Sequence, residues 1–120
     1  MQHKNILIVE DDDDLREAMA LYLAAEGYNV VQAQHGAEAL DRLRTSGSFC
    51  LILLDLFMPV MNGWDFRSAQ LSEPGLAAVP VVVISADAGT TAAAATLGAV
   101  GSMVKPIDFN RLLDTVARHC

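Results

Sequence analysis

Short unbroken apolar runs alternate along this chain with segments whose apolar residues recur every three or four positions. Ile6-Leu7-Ile8-Val9 is the first run, closed by acids, and its β-branched and leucine composition predicts a strand covered on both faces. Leu15, Met19, Tyr22 and Leu23 then fall at helical spacing. Asp13 and Asp14 suit the positive N-terminal end of that helix, and Gly27 supplies its stop. Tyr28 to Ala33 reads as a second strand. Ala37 to Leu43 reads as a second amphipathic helix set between Gly36 and Gly47, and Leu51-Ile52-Leu53-Leu54 as a third buried strand. A less regular helix is expected over residues 63–71 and a loop over 72–78, after which Pro80 opens the β-branched run Val81-Val82-Val83-Ile84. A helix of small residues from about Thr91 to Leu97 leads to a short strand, Ser102-Met103-Val104. Phe109, Leu112, Leu113, Val116 and Ala117 form a last amphipathic helix capped by Asp108.

Five strands alternating with five helices imply a parallel sheet, because parallel neighbours need crossover connections, and right-handed crossovers place helices on both faces. Such a doubly wound α/β sheet binds its ligands outside the carboxyl ends of the strands. The polar residues that follow each run therefore matter most. Glu10 and Asp11 follow the first strand, Asp55 the third, Ser85 the fourth and Lys105 the fifth.

Composition narrows what that edge can do. The 120 residues fit one domain, 1–120, and a 52% hydrophobic, 19% charged chain is too apolar to stay disordered. No apolar run approaches the roughly 20 residues that span a bilayer, and the first residues show no secretory signal, so the cytoplasm is the expected location. A net charge of -7 argues against direct binding to nucleic acid or to an anionic membrane. Cys50 and Cys120 match no disulfide framework or metal-ligand spacing and are expected as reduced thiols.

Asp12, Asp13 and Asp14 read as a solvated loop and a charged first helical turn. Glu10 and Asp11 differ, because they end a buried strand and face Asp55 across the sheet edge, where like charges repel unless a cation intervenes. Oxygen donors of this kind suit Mg²⁺, which commonly takes one or two carboxylates together with waters and a phosphate. The loop after the first strand is acidic and lacks glycine, so it is no backbone cradle for an unaided phosphate. Lys105 and Ser85 could instead meet phosphoryl oxygens, with Asp55 as the nucleophile of an acyl phosphate. Alone, Lys105 reads equally as a surface lysine and Ser85 as a turn residue; their convergence at one edge favours chemistry.

Four strings, Ile6-Leu7-Ile8-Val9-Glu10-Asp11-Asp12, Leu53-Leu54-Asp55 through Asn62-Gly63, Val83-Ile84-Ser85-Ala86 and Val104-Lys105-Pro106, resemble in order the signatures of the response-regulator receiver family. The resemblance implies a flavodoxin-like fold with sheet order 2-1-3-4-5. It implies phosphorylation at Asp55, direct Mg²⁺ ligation by Asp11 and Asp55, and a water-mediated contact from Glu10. Phe57 would lend a backbone carbonyl to the metal, Ser85 would act as switch hydroxyl, and Lys105 would bridge the acids and the phosphate. The phosphodonor would be the phosphohistidine of a sensor kinase or phosphotransfer protein. A Lys105-Pro106 cis peptide is common in the family.

Phe57 and Asp87, two residues past the acceptor and the switch hydroxyl, are expected to tune hydrolysis. An aspartyl-phosphate phosphohydrolase would usually hold a second acid where Phe57 stands, so no enzyme beyond self-directed phosphotransfer and dephosphorylation is expected. The alternative is an interaction module that is never phosphorylated. The family's usual fifth-strand aromatic is replaced by Ser102, which shifts the expected switching burden to the fourth helix. Output to a downstream protein or fused domain is expected through that helix, the fifth strand and the fifth helix. His3, His35 and His119 are expected to be solvent-exposed, Trp64 half-buried, and Met19, Met58, Met61 and Met103 gap fillers.

Overall fold

Residues 5–86 and 89–120 are described by a computed structural model of the chain. The five apolar runs become β1 (Asn5–Val9), β2 (Asn29–Ala33), β3 (Leu51–Asp55), β4 (Val81–Ser85) and β5 (Gly101–Val104). They form one sheet in the order β2-β1-β3-β4-β5, with every neighbouring pair parallel. Between them lie α1 (Asp13–Ala25), α2 (Gly36–Thr45), α3 (Gly63–Leu71) and α4 (Thr90–Thr96), and α5 (Phe109–His119) follows β5. The pattern locates every element, with boundaries that shift by one or two residues at most.

Strand periodicity divides the core in two. Leu7, Val9, Ile52, Leu54, Val81 and Val83 face one side, where they meet Ala39, Leu40 and Leu43 of α2, Phe66 of α3 and Ala94 of α4. Ile6, Ile8, Leu51, Leu53, Val82 and Ile84 face the other and meet Met19 and Leu23 of α1 with Leu112 and Val116 of α5. All five residues of β3 and of β4 are buried, which explains why they read as continuous apolar runs and not as alternating ones. Truncating one of these leucines to alanine typically costs about 2–5 kcal/mol. Edge strands β2 and β5 are only partly covered.

Caps fix four of the helices. Asp12 accepts from Leu15 N, Asn62 from Asp65 N, and Asp108 from Asn110 N and Arg111 N. His35 departs from expectation: it is half-buried, and its Nδ1 accepts from Glu38 N at 3.2 Å as the cap of α2. His119 is also half-buried, and His3 lies outside the described residues. Helix α4 has no side-chain cap and buries only Thr90 and Ala94. Met19 and Met103 are core residues, Met58, Met61 and Trp64 pack on the core, and the Lys105-Pro106 bond is cis. Among the described residues no helix is long and apolar enough to cross a membrane.

The cysteines are not free thiols. Cys50 and Cys120 form a disulfide with Cα atoms 5.3 Å apart, across a separation of 70 residues. Spacing along the chain hides this because α5 returns along the sheet after β5 and brings its end to the start of β3, where Cys50 N also donates to Asn5 O. By chain entropy, a loop of this size is worth about 4 kcal/mol, within the usual range of up to about 5. Cys120→Ser is accordingly expected to lower the urea midpoint of the oxidised protein, and a reductant should lower the parent midpoint equally. Identical midpoints for oxidised parent and variant would rule out this contribution.

Candidate functional site

Strand register lines up the polar residues seen in the sequence. Val9 pairs with Leu54, so Glu10 follows β1 beside Asp55, the last residue of β3. Asp55 pairs with Ile84 and Ser85 with Val104, which places Ser85 and then Lys105 along the same edge; Lys105 N donates to Ser85 O at 2.9 Å. Glu10 is 1% exposed and Asp55 3%, while Asp11 is open to solvent.

Carboxylate oxygens of Glu10, Asp11 and Asp55 all lie within 4.8 Å of one another. Lys105 Nζ is 2.6 Å from Glu10 Oε1 and 3.4 Å from Asp55 Oδ2. Glu10 Oε2 accepts from Asp12 N at 3.1 Å, and Asp55 Oδ1 from Phe57 N at 3.4 Å. Glu10 Oε1, although buried, meets Lys105 only as an ion pair outside hydrogen-bond geometry. One ammonium thus contacts two carboxylates of a cluster of three. Burial, with a further push from Asp55, raises the Glu10 carboxyl to about 7 against the opposing contacts of Lys105 and Asp12 N. Burial also works against the Lys105 ammonium, but Glu10 and Asp55 outweigh it and hold that group above the ordinary lysine value. A hard divalent cation fits this donor set, because it would relieve the surplus negative charge and use the oxygen that no hydrogen bond satisfies.

The supporting shell contains residues the sequence does not flag. Arg16 on α1 is buried: Nη1 donates to Glu10 O at 2.9 Å, Nε to Gln32 Oε1 at 3.1 Å, and Nη2 pairs with Asp13 at 2.7 Å. It clamps the backbone that presents Glu10. Arg67 on α3 donates to Leu97 O at 3.0 Å and Gly98 O at 3.2 Å, tying α3 to the end of α4, and its burial lowers its pKa. A mid-helix arginine reads as solvated in any single sequence, so neither carries a periodic signal. Gly63 has a clearer one. A Cβ there would come within 2.6 Å of Asp55 O and 2.8 Å of the Leu56 Cα, so only glycine lets α3 start against the Asp55 backbone.

Other expected positions are distributed as follows. Ser85 is fully buried at the edge, and Phe57 is half-exposed with its ring against Trp64. Ser102 is half-buried opposite Val83, two residues back from the strand end. Asp87 lies outside the described residues.

A family model described as the response regulator receiver domain matches residues 6–117. The chain is 33% identical over 113 residues to the probable transcriptional regulator ycf29 of Pyropia yezoensis, covering 92% of this chain and 50% of that protein. It spans about half or less of the length of the curated relatives it matches first. Among solved structures, chemotaxis response regulator CheY4 of Vibrio cholerae superposes with a TM-score of 0.89 at 28% identity, covering 99% of this chain and 100% of that one. TrrA of Thermotoga maritima, solved in complex with Mg(2+)-BeF, gives 0.84 at 26% identity over 98% and 99% of the two chains. With the acidic edge in register, the family model matched across nearly the whole chain and the fold shared with CheY4, this chain belongs to the response-regulator receiver domains of two-component systems.

Proposed function

We propose that Asp55 takes a phosphoryl group from the phosphohistidine of a sensor kinase or phosphotransfer protein, and that the resulting acyl phosphate switches the domain's output. The observation that carries this reading is a buried carboxylate, Asp55, sharing one sheet edge with two further acids and a lysine within 3.4 Å. Asp11 and Asp55, with the Phe57 carbonyl and Glu10 through water, are the residues that would hold Mg²⁺; when bound, it would neutralise charge on the transferring group. An oxygen of Asp55 attacks phosphorus, and the bond from phosphorus to the donor nitrogen breaks. Lys105 offsets the negative charge carried in, and the Ser85 hydroxyl is drawn toward the phosphoryl oxygens. The domain acts on itself only, in the cytoplasm, where thiol reductants oppose the Cys50-Cys120 bond.

Output is assigned to α4, β5 and α5, toward a downstream protein or a fused domain. Helix α4, with no side-chain cap and two buried residues, belongs at the low-stability end of the fold, and Val100 and Val104 stand about half exposed beside it. Ser102 offers no ring to swing inward, so α4 carries the change.

Incubation with Mg²⁺ and a small phosphodonor such as acetyl phosphate tests the whole reading. One acid-labile phosphoryl group per chain is expected, and none in Asp55→Asn. No incorporation would indicate a pure interaction module, and continuous turnover a phosphohydrolase. The lifetime of the product tests Phe57: an aromatic ring obstructs water and cannot orient it. Phospho-Asp55 should therefore decay on the order of tenfold more slowly than in Phe57→Asn, less than the roughly 100-fold or more of a full general base, since an amide can orient the water but not take its proton. Equal decay rates would remove Phe57 from the mechanism.

A further inference from the structure

We propose that Trp64 is a positioning residue for the acceptor site, holding the Phe57 ring in place and thereby setting the lifetime of the phosphorylated state. The inference rests on Asp55 being the acceptor. Phe57 is tied to Asp55 through its backbone N–H, yet its side chain is 52% exposed, so core burial does little to fix the ring. What meets it is the Trp64 indole, with centroids 5.1 Å apart and planes at 73°, an edge-to-face contact.

The indole is itself held from below. Trp64 follows Gly63, whose N–H donates to Leu56 O at 2.9 Å and whose missing Cβ allows α3 to press on the Asp55 carbonyl. Asn62 caps the same helical turn. Backbone contacts therefore link Asp55, Phe57 and the turn that carries Trp64. The two rings line a cavity of about 60 Å³ together with Leu56, Gly89, Thr90 and Ala93. An apolar cavity that admits benzene measures about 150 Å³, so this one is too small for the Phe57 ring to fold into while the indole stands. Removing the indole would join its volume to that cavity and release the ring.

Hydrolysis needs a water whose oxygen bonds to phosphorus as the bond from phosphorus to the Asp55 oxygen breaks. The electron pair returns to the carboxylate, and the water's protons leave with inorganic phosphate and solvent. A fixed Phe57 ring impedes that approach, and a released one does not.

The test uses the full chain with Mg²⁺, loaded from acetyl phosphate and then freed of donor. Trp64→Ala and Trp64→Leu are expected to lose phosphoryl label about threefold to tenfold faster than the parent, the range an edge-to-face ring contact is worth. Trp64→Phe should stay within about twofold. In a Phe57→Ala background the Trp64 substitutions should add nothing, because they act through the missing ring. If Trp64→Ala does not fold, Trp64→Leu, which keeps apolar bulk, carries the same expectation. Parental decay in the leucine variant, or acceleration that persists without Phe57, would overturn the assignment. Failure of the parent chain to take label would instead overturn the acceptor reading, whatever the Trp64 variants do.

Discussion

Asp11→Asn is expected to lower Mg²⁺-dependent phosphorylation by about 100-fold or more and, in metal-free buffer, to raise the melting temperature by several degrees. Both effects follow from one geometry. Asp11 is exposed, so replacing its carboxylate with an amide of the same shape loses no packing. It stands with Glu10 and Asp55 inside a 4.8 Å cluster, where each like-charge pair costs about 1 kcal/mol even at the dielectric constant of water. Relief of that order corresponds to roughly 4 °C or more for a domain near this size. The same carboxylate is the most accessible of the proposed metal ligands, and losing groups that merely support a metal ligand already costs about 10–100-fold in affinity or activity. Mg²⁺ titration followed by thermal melting checks both parts, since an ion that binds only the folded chain raises the midpoint with concentration. A variant that retained full Mg²⁺ affinity would sink the assignment of Asp11.

Much of this site is legible in the amino-acid sequence because parallel strands translate chain order into position. Each buried run ends where the sheet ends, so Glu10, Asp55, Ser85 and Lys105 share an edge by topology alone, and register then sets the 2.6 Å and 3.4 Å contacts of Lys105. Residues are harder to read when their role depends on what a crossover brings beside them. Arg16 and Arg67 grip backbone carbonyls of other elements, which leaves no period in the chain. His35 looks like a loop residue until Glu38 N is seen to point at its ring. Cys50 and Cys120 pair because α5 ends where β3 begins, a proximity that a separation of 70 residues conceals. The Phe57-Trp64 contact is of the same kind: both residues stand out in the sequence, but the turn that joins their rings does not.

Lys105→Ala should destabilise the metal-free protein far more at pH 8 than at pH 5. Burial holds the Glu10 carboxyl at about 7 in the folded chain, against an ordinary value of 4.5. Below that window Glu10 is protonated in both states and carries no penalty. As pH rises through it, the unfolded chain sheds the proton first, the folded chain binds more protons, and stability falls. Above about 7 the loss is complete, and at 1.36 kcal/mol per unit a displacement of this size amounts to roughly 3 kcal/mol. Lys105 is the cation that faces both Glu10 and Asp55 among the described residues, so its contacts limit the penalty. Without it two buried carboxylates stand unpaired at alkaline pH, and removing one partner of a buried ion pair costs about 3–5 kcal/mol. At pH 5 the proton on Glu10 takes over part of the role of the ammonium, and the cost shrinks. Urea midpoints of parent and variant in chelator at the two pH values make the comparison, and saturating Mg²⁺ should narrow the gap at pH 8 by neutralising the same charges. Equal destabilisation at both pH values would show that Lys105 acts through the packing of its stem and not through its charge.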